Sequence, residues 1–529
     1  MSALVGLAVV IPLLASMLAL AIRQRSGPRD AVVLGSLLAV SALSIVLLLH
    51  VHHNETVVVR LGGWSPDLGI VLVADMFAVM VLAVAMVTIA LVEAFAIGQR
   101  RSSAGADPTV SGPMLLVLTA GVALSVLTGD LFTLFVAFEL MLVASYVLLT
   151  HQGRAGQVRS GMTYVVINLF ASTLFLFGVA FVYASTGTVN LALLVERIPE
   201  LDDGMRWGIG LWFLVVFGTK AAMFPLFSWL PDSYPTAPTT ITAVFAGLLT
   251  KIGVYVMIRF HTLMSMDDLG TVILVIAGFT MIVGVLGALA QDDMKRILSF
   301  HIVSQIGYMM LGLGLFSVAG VAGAMLFVVH QIPVKTVLFL VGAMVETDRG
   351  SSALSRLGGM VSSRPWLAVA FALPALSLAG LPPFSGFVAK LALIEAGVDA
   401  GTTAIVVVGL VGSALTLLSM VKIWNGVFWG ADQGAEDDAA SKRSAEASGV
   451  PTRGTARGWA TMSAATAVTV FVTLGIAVFS GPLWNMSERA AEELLDGDVY
   501  VAAVLGDPVE FADGELVDIE ESDVEEVDE

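Results

Sequence analysis

Apolar stretches of about 20 residues follow one another along the whole of this 529-residue chain. Each is long enough to cross the hydrocarbon core of a bilayer as a helix, about 30 Å at 1.5 Å per residue. Composition agrees: 57% of residues are hydrophobic and 13% charged, with a mean hydropathy of +0.90, where soluble domains carry about 25% charged residues. Fourteen spans can be delimited, at 2–22, 31–49, 69–95, 112–128, 130–150, 160–185, 209–230, 238–260, 270–290, 296–315, 319–345, 364–396, 402–429 and 461–481. The expected fold class is therefore all-α, a polytopic membrane bundle of about 14 transmembrane helices. The opening MSALVGLAVVIPLLASMLALAI lacks a basic n-region and a small-residue cleavage site, so it is expected to remain as the first helix. There are no cysteines, which excludes disulfides, thiolate metal sites and cysteine nucleophiles.

The net charge of −17 is local. Residues 482–529 hold 17 acidic residues and one base, Arg489, and the rest of the chain is nearly balanced. A run such as DGELVDIEESDVEEVDE is expected to be a solvated, disordered acidic tail. Basic residues in the connections set orientation. One set of connections carries sixteen, including Arg23, Arg100, Arg101, Lys295 and Arg296; the other carries five. The richer set is placed in the cytoplasm, and an even number of spans then puts both termini outside the cell membrane.

Five of the seven lysines, Lys220, Lys251, Lys335, Lys390 and Lys422, lie in otherwise apolar spans, as does one glutamate, Glu139. A charge at membrane depth costs roughly 2.5–3.5 kcal/mol on insertion scales, and such residues commonly mark ion paths and proton relays. Spans 4–8 and 9–13 form two blocks of five, 112–260 and 270–429, after a three-helix start at 1–111. An odd-numbered block repeated in tandem must insert upside down, the arrangement of inverted-repeat transporters. A loop at 430–460 and a last span at 461–481 precede the tail. Each block has a proline-interrupted span with a lysine beside it. In GTKAAMFPLFSWLPDSYPTAP these are Pro225 and Lys220; in LAGLPPFSGFVAKLALIEAG they are Pro382, Pro383 and Lys390, with Gly386 between. Proline removes a backbone donor and opens the helix, freeing carbonyls that hold ions or water.

From about residue 112 to 430 the chain resembles the antiporter-like family shared by Mrp-type sodium/proton antiporters and respiratory complex I. The segments that carry the likeness include GDLFTLFVAFELMLVASYVLL, SYPTAPTTITAVFAGLLTKIGVYVMIRF, DDMKRILSFHIVSQIGYMMLGLGLF and GLPPFSGFVAKLAL. Within the family it is most similar to the D-type branch of the Mrp complexes. The resemblance implies two broken helices. It places the family's glutamate at Glu139 and its lysines at Lys220, Lys251 and Lys390, with His330 and Lys335 offered by FVVHQIPVKTVLFL. Lys390 argues against the complex I relative that has glutamate there. Thr133 is a departure, where the family often has asparagine.

The remaining ionisable residues receive plainer readings. Lys422 is expected to snorkel to the interface, and His50, His52 and His53 to belong to a solvated loop. His301, just after Lys295 and Arg296, is a candidate for a cytoplasmic intake. Asp75 and Glu93 are read as interfacial. No Walker loop, GxGxxG, HExxH or quinone or haem signature appears, so no cofactor, metal or enzyme site is expected, and nothing points to nucleic acid. The expected function is a subunit of a multisubunit Na+/proton antiporter. It would work among other subunits and membrane lipids and carry protons from Glu139 and Lys220 through Lys251 to Lys335 or His330 and then Lys390. The alternative is a proton-pumping subunit of a complex I-like or hydrogenase complex. Two unit charges about 6 Å apart at an effective dielectric near 20 interact by roughly 3 kcal/mol, enough for movement of Glu139 to decide whether Lys220 keeps its proton.

Overall fold

The structure is a computed structural model that describes residues 1–65, 69–102, 108–153, 155–430 and 456–506. It is helical almost throughout. Twelve helices among the described residues are long and apolar enough to cross a membrane. Six stand before the first break: α1 (Ser2–Ala21), α2 (Ser26–His53), α3 (Met76–Ser102), α4 (Pro108–Leu127), α5 (Leu131–Thr150) and α6 (Ala155–Thr186). A short surface helix, α7 (Leu191–Arg197), leads to α8 (Asp203–Ala221), where the first break falls. After α9 (Trp229–Ser233), α10 (Thr239–Val244) and α11 (Thr250–Leu263) make one span, joined by a π-helical turn at Phe245–Leu249. Next come α12 (Gly270–Leu289), α13 (Met294–Gly314), α14 (Val318–Arg349) and the short α15 (Met360–Ser363). The second break lies between α16 (Pro365–Ala379) and α17 (Ser385–Asp399). The last spans are α18 (Thr403–Val427) and α19 (Ala456–Val478), followed by α20 (Ser480–Leu495) and α21 (Gly497–Leu505). The two interrupted crossings, α8 and α16–α17, bring the twelve to the fourteen expected from the apolar runs.

Polar side chains at the ends of the apolar runs start the helices. Asp130 accepts the Thr133 N–H at 2.6 Å to open α5, and Asp293 and Ser317 do the same for α13 and α14. Such caps satisfy backbone donors that would otherwise be orphaned at the first turn. Inside the bundle, α14 is the hub: every side chain from Gly320 to Val345 is buried. The spans α10–α11 and α13 are nearly as enclosed, whereas α1, α2 and α18 bury about a third of their residues. Large apolar side chains such as Phe170, Phe177 and Phe471 are exposed on the perimeter, as the lipid-facing rim of a membrane bundle requires.

Two expectations are corrected. The third span does not begin at 69. Val71–Ala74 is a strand, antiparallel to Val57–Arg60 (β2 and β1), and the helix starts at Met76, where Asp75 accepts the Ala78 N–H at 2.8 Å. Apolar content alone merges a β-branched strand with the helix after it. The acidic tail does not begin at 482 either. In α20 the residues Ser487, Ala490, Ala491 and Leu494 recur at helical spacing and are buried, and α21 buries Tyr500 and Val504. The negative charge occupies the outer face of an amphipathic helix that packs on the bundle. As expected of a proline-interrupted span, 364–396 holds two helices of 15 residues each. The rest of the tail, 507–529, and most of the 430–460 loop, 431–455, lie outside the described residues.

Candidate functional site

The four lysines and the histidine singled out in the sequence all lie in the bundle interior. Lys335 is 0% exposed, Lys251 and His330 1%, Lys390 4% and Lys220 6%.

Lys220 occupies the last turn of α8, which Ala222 closes at φ +63. A cation there faces the partly negative C-terminal end of the helix. Its Nζ donates to Ser172 Oγ at 2.8 Å and to the Asn168 carbonyl at 3.3 Å, both on α6. Pro225 sits in the non-helical link between α8 and α9, where Phe224 N–H donates to Thr280 Oγ1 at 3.1 Å. Glu139 on α5 is half-buried, and its buried Oε1 has no hydrogen-bond partner among the described residues. The preceding ring, Phe138, lies 5.6 Å from Lys220 Nζ. Glu139 and Lys220 are thus near neighbours without an ion pair within 4.0 Å. A cavity of about 20 Å³ lies against Phe138, Tyr164, Asn168, Lys220, Trp229 and Leu249, room for about one water molecule.

Leu249 is the last residue of the π turn, and Lys251 comes two residues later. Lys251 Nζ donates to the Ala246 carbonyl, inside that turn, at 2.5 Å. The same turn meets α14: an added Cβ on Gly247 would stand 2.4 Å from Thr336 Oγ1. Glycine is required here for the two backbones to approach, and the approach brings the turn below Lys251 against the residue next to Lys335. Lys335 Nζ has no partner among the described residues.

His330 lies five residues earlier on α14. Its Nδ1 shares a hydrogen bond with Ser385 Oγ at 2.8 Å, while Nε2 is unpartnered among the described residues. Ser385 begins α17, just past Pro382 and Pro383. The second break therefore delivers α17 directly to His330. Gly386 makes this fit possible: a Cβ there would lie 1.8 Å from the Ser377 carbonyl oxygen. One turn on, Lys390 Nζ donates to the Leu378 carbonyl at 3.0 Å and to Ser413 Oγ at 3.0 Å, and sits 4.4 Å from the Tyr308 ring centroid. The Leu378 carbonyl belongs to the last turn of α16, whose acceptors have no helical donor. The proline break supplies the oxygen that holds the ammonium.

Several outcomes differ from the sequence reading. His301 is not at a surface intake: it is buried, with Nε2 2.6 Å from Ser419 Oγ. Asp75, just before α3, and Glu93, inside it, are both buried, paired with Arg259 and Arg100 respectively. An interfacial charge is expected to face water; each of these instead turns inward to a guanidinium. Lys422 does sit at a partly exposed edge, bonded to the Leu289 and Gln291 carbonyls and Asp292. No cluster of metal-ligating side chains is present among the described residues, the three histidines of α2 included. Residues the sequence gave no reason to single out include Ser172, Gln305, Gln331, Ser385 and Ser413. Glu346 is another: it binds Lys295 at 2.9 Å and accepts from Thr239 at 2.6 Å, eleven residues from Lys335 on α14. Lone serines, glutamines and span-end carboxylates carry no sequence signal apart from the fold that gathers them.

A bundle with two broken helices and a row of buried, unpaired amines is a membrane ion-transport architecture. A family model described as NADH:quinone oxidoreductase/Mrp antiporter, TM matches residues 128–416. The chain is 42% identical over 467 residues to the D-type subunit of the Na(+)/H(+) antiporter of Alkalihalophilus pseudofirmus, covering 88% of this chain and 91% of that protein. To the D-type subunit of the Na(+)/H(+) antiporter of Bacillus subtilis it is 36% identical over 454 residues, 84% and 87% of the two chains. A chain of the Mrp complex from Dietzia sp. DQ12-45-1b superposes with a TM-score of 0.86 at 34% identity, covering 96% of this chain and 100% of that one. A chain of respiratory complex I from Thermus thermophilus shares the fold, with a TM-score of 0.77 at 20% identity over 93% and 99%. The chain belongs to the NADH:quinone oxidoreductase/Mrp antiporter family of transmembrane subunits.

Proposed function

We propose that this chain is the D-type subunit of a multisubunit Na+/proton antiporter and carries protons along Glu139, Lys220, Lys251, Lys335 or His330, and Lys390. The coarser statement, a transporter subunit of an Mrp-type complex rather than an enzyme, follows from the family and its D-type relatives. The finer one rests on a single observation: Lys220, Lys251, Lys335 and Lys390 are buried with no carboxylate in ion-pair range among the described residues. Buried charges kept for structure are paired. An unpaired buried amine is explained if it gives up its proton and takes it back.

Glu139 acts as the trim on this line. When ionised and close, it favours the ammonium at Lys220; when neutralised or withdrawn, the burial cost sends the proton on toward Lys251. The carbonyls and hydroxyls around Lys220 and Lys390 accept from an ammonium and tolerate a neutral amine. The two blocks, 112–260 and 270–429, are taken as inverted repeats meeting where Gly247 touches α14. The distribution of arginine and lysine places the terminus-bearing face outside. The redox-complex alternative draws on likenesses at 22% identity or less, which carry the fold alone.

The test is Glu139→Ala and Lys220→Ala in the whole complex. Each variant is expected to assemble and to lose sodium-driven proton movement in everted membrane vesicles. Parental exchange in either variant removes that residue from the line.

A further inference from the structure

Three residues of α11 stand four apart on one face: Lys251, Tyr255 and Arg259. At 1.5 Å per residue they climb about 12 Å toward the terminus-bearing face in steps of about 6 Å. At the top, Arg259 is 4% exposed and paired with Asp75. Its guanidinium stacks over Tyr255 at 5.4 Å and Tyr500 at 5.7 Å. Two of its nitrogens, Nε and Nη1, have no partner among the described residues, and neither does the Tyr500 hydroxyl. That hydroxyl points at the turn before α5: a Cβ on Gly129 would be 3.5 Å from it, beside Asp130. The C-terminal helices roof the group. Arg489 pairs with Glu493 one turn along α20 at 2.7 Å and ties α20 to the Val51, His52 and Asn54 carbonyls of the α2 end. Arg60 of β1 binds the Val504 carbonyl at 2.8 Å.

We propose that Asp75, Glu493, Arg259 and Tyr500 form a proton port at the terminus-bearing end of α11, exchanging protons between Lys251 and the water at that face. This rests on the relay reading of Lys251. Three carboxylates, Asp75, Glu493 and Asp130, face two guanidiniums, Arg259 and Arg489, so the cluster holds one proton without becoming positive. From α14, against which α20 also packs, the stretch 318–329 brings no ionisable group. Burial, with the Asp75 charge beside it, raises the Glu493 carboxyl above the usual carboxylate range, while Arg489 opposes this. The Tyr255 hydroxyl donates to the Val126 carbonyl at 2.7 Å and keeps its proton; a proton leaving the Lys251 ammonium passes it by way of water and comes to rest on a carboxylate. No other bond breaks. Arg259 cannot give up its proton and serves as the fixed charge that keeps the acids poised.

The test uses Glu493→Gln and Tyr500→Phe in the full complex, with Lys251→Ala beside them. Assembly is checked on a native gel and exchange over a range of pH at the terminus-bearing face. Both port variants are expected to assemble, with exchange down tenfold or more for Glu493→Gln and severalfold for Tyr500→Phe. Glu493→Gln also loses one ionisation from the pH profile. Tyr500→Phe keeps the ring and removes only a hydroxyl without a structural partner, so a purely structural cap predicts no change. Parental exchange in both variants, or a loss equal at every pH, overturns the port while an inactive Lys251→Ala leaves the relay standing. If Lys251→Ala itself exchanges like the parent, relay and port both fall.

Discussion

Gly386→Ala isolates the second helix break. An added Cβ would lie 1.8 Å from the Ser377 carbonyl oxygen and 3.0 Å from His330 Nε2. A relaxed carbon–oxygen contact needs about 3.3 Å, so α17 must retreat from α16 by about 1.5 Å. That retreat stretches the 3.0 Å bond from Lys390 Nζ to the Leu378 carbonyl to about 4.5 Å, beyond hydrogen-bond range. Overpacking costs about 1–3 kcal/mol, and a lost hydrogen bond to a charged group adds about 1.5–3 kcal/mol. The expected result is a complex of lowered thermal stability in which the fraction that assembles exchanges at least tenfold more slowly. Gly475→Ala on α19, whose Cβ would meet nothing within 4 Å, is the control and should match the parent. Assembly is read on native gels and exchange by pH-dependent dye quenching in everted vesicles. A Gly386→Ala variant with parental melting and parental exchange would refute the argument that this close approach positions Lys390.

Two further outcomes are expected. Lys251→Arg and Lys390→Arg keep the positive charge but cannot release a proton, so well-assembled variants should fail nearly as badly as alanine. Histidine, with a reference pKa near 6.5, should restore part of the rate; arginine variants that exchange normally would reduce these positions to a charged lining. Deleting 507–529 should leave assembly and exchange unchanged. Deleting 500–529 also removes buried Tyr500 and Val504 and the acceptors of Arg60, and should lower stability by several kcal/mol, since truncating one buried aromatic costs about 3–5 kcal/mol; a melting curve separates the two.

The membrane class, the interrupted crossings and the buried charges were legible because each follows from one-dimensional signals: run length, proline, and charge in an apolar setting. Glu139, Lys220, Lys251, Lys335 and Lys390 stand out against their neighbours in any reading of the chain. What surrounds them does not. Ser385 matters because a break swings it to His330, and Gly247 because a helix fifty residues or more away needs its missing side chain. The π turn before Lys251 has no composition of its own. The strand at Val71–Ala74 was hidden by its hydrophobicity, which served equally for a membrane span. The C-terminal helices were hidden by their acids, because net charge says how much of a segment faces water and nothing about its other side.

On the proposed relay, the unpaired amines would also act as a sieve. A proton that enters the line is absorbed into it: a neutral amine becomes an ammonium, and the lining has gained a state it was built to hold. A sodium ion has no such option and must stand beside whatever charge is already there. Against an ammonium about 6 Å away, at an effective dielectric near 20, it is repelled by roughly 3 kcal/mol, and two such neighbours disfavour it by a factor of about 10⁴. With no carboxylate at Lys251, Lys335 or Lys390 among the described residues to offset that repulsion, the proposed conduit would admit the one cation that can dissolve into its own walls.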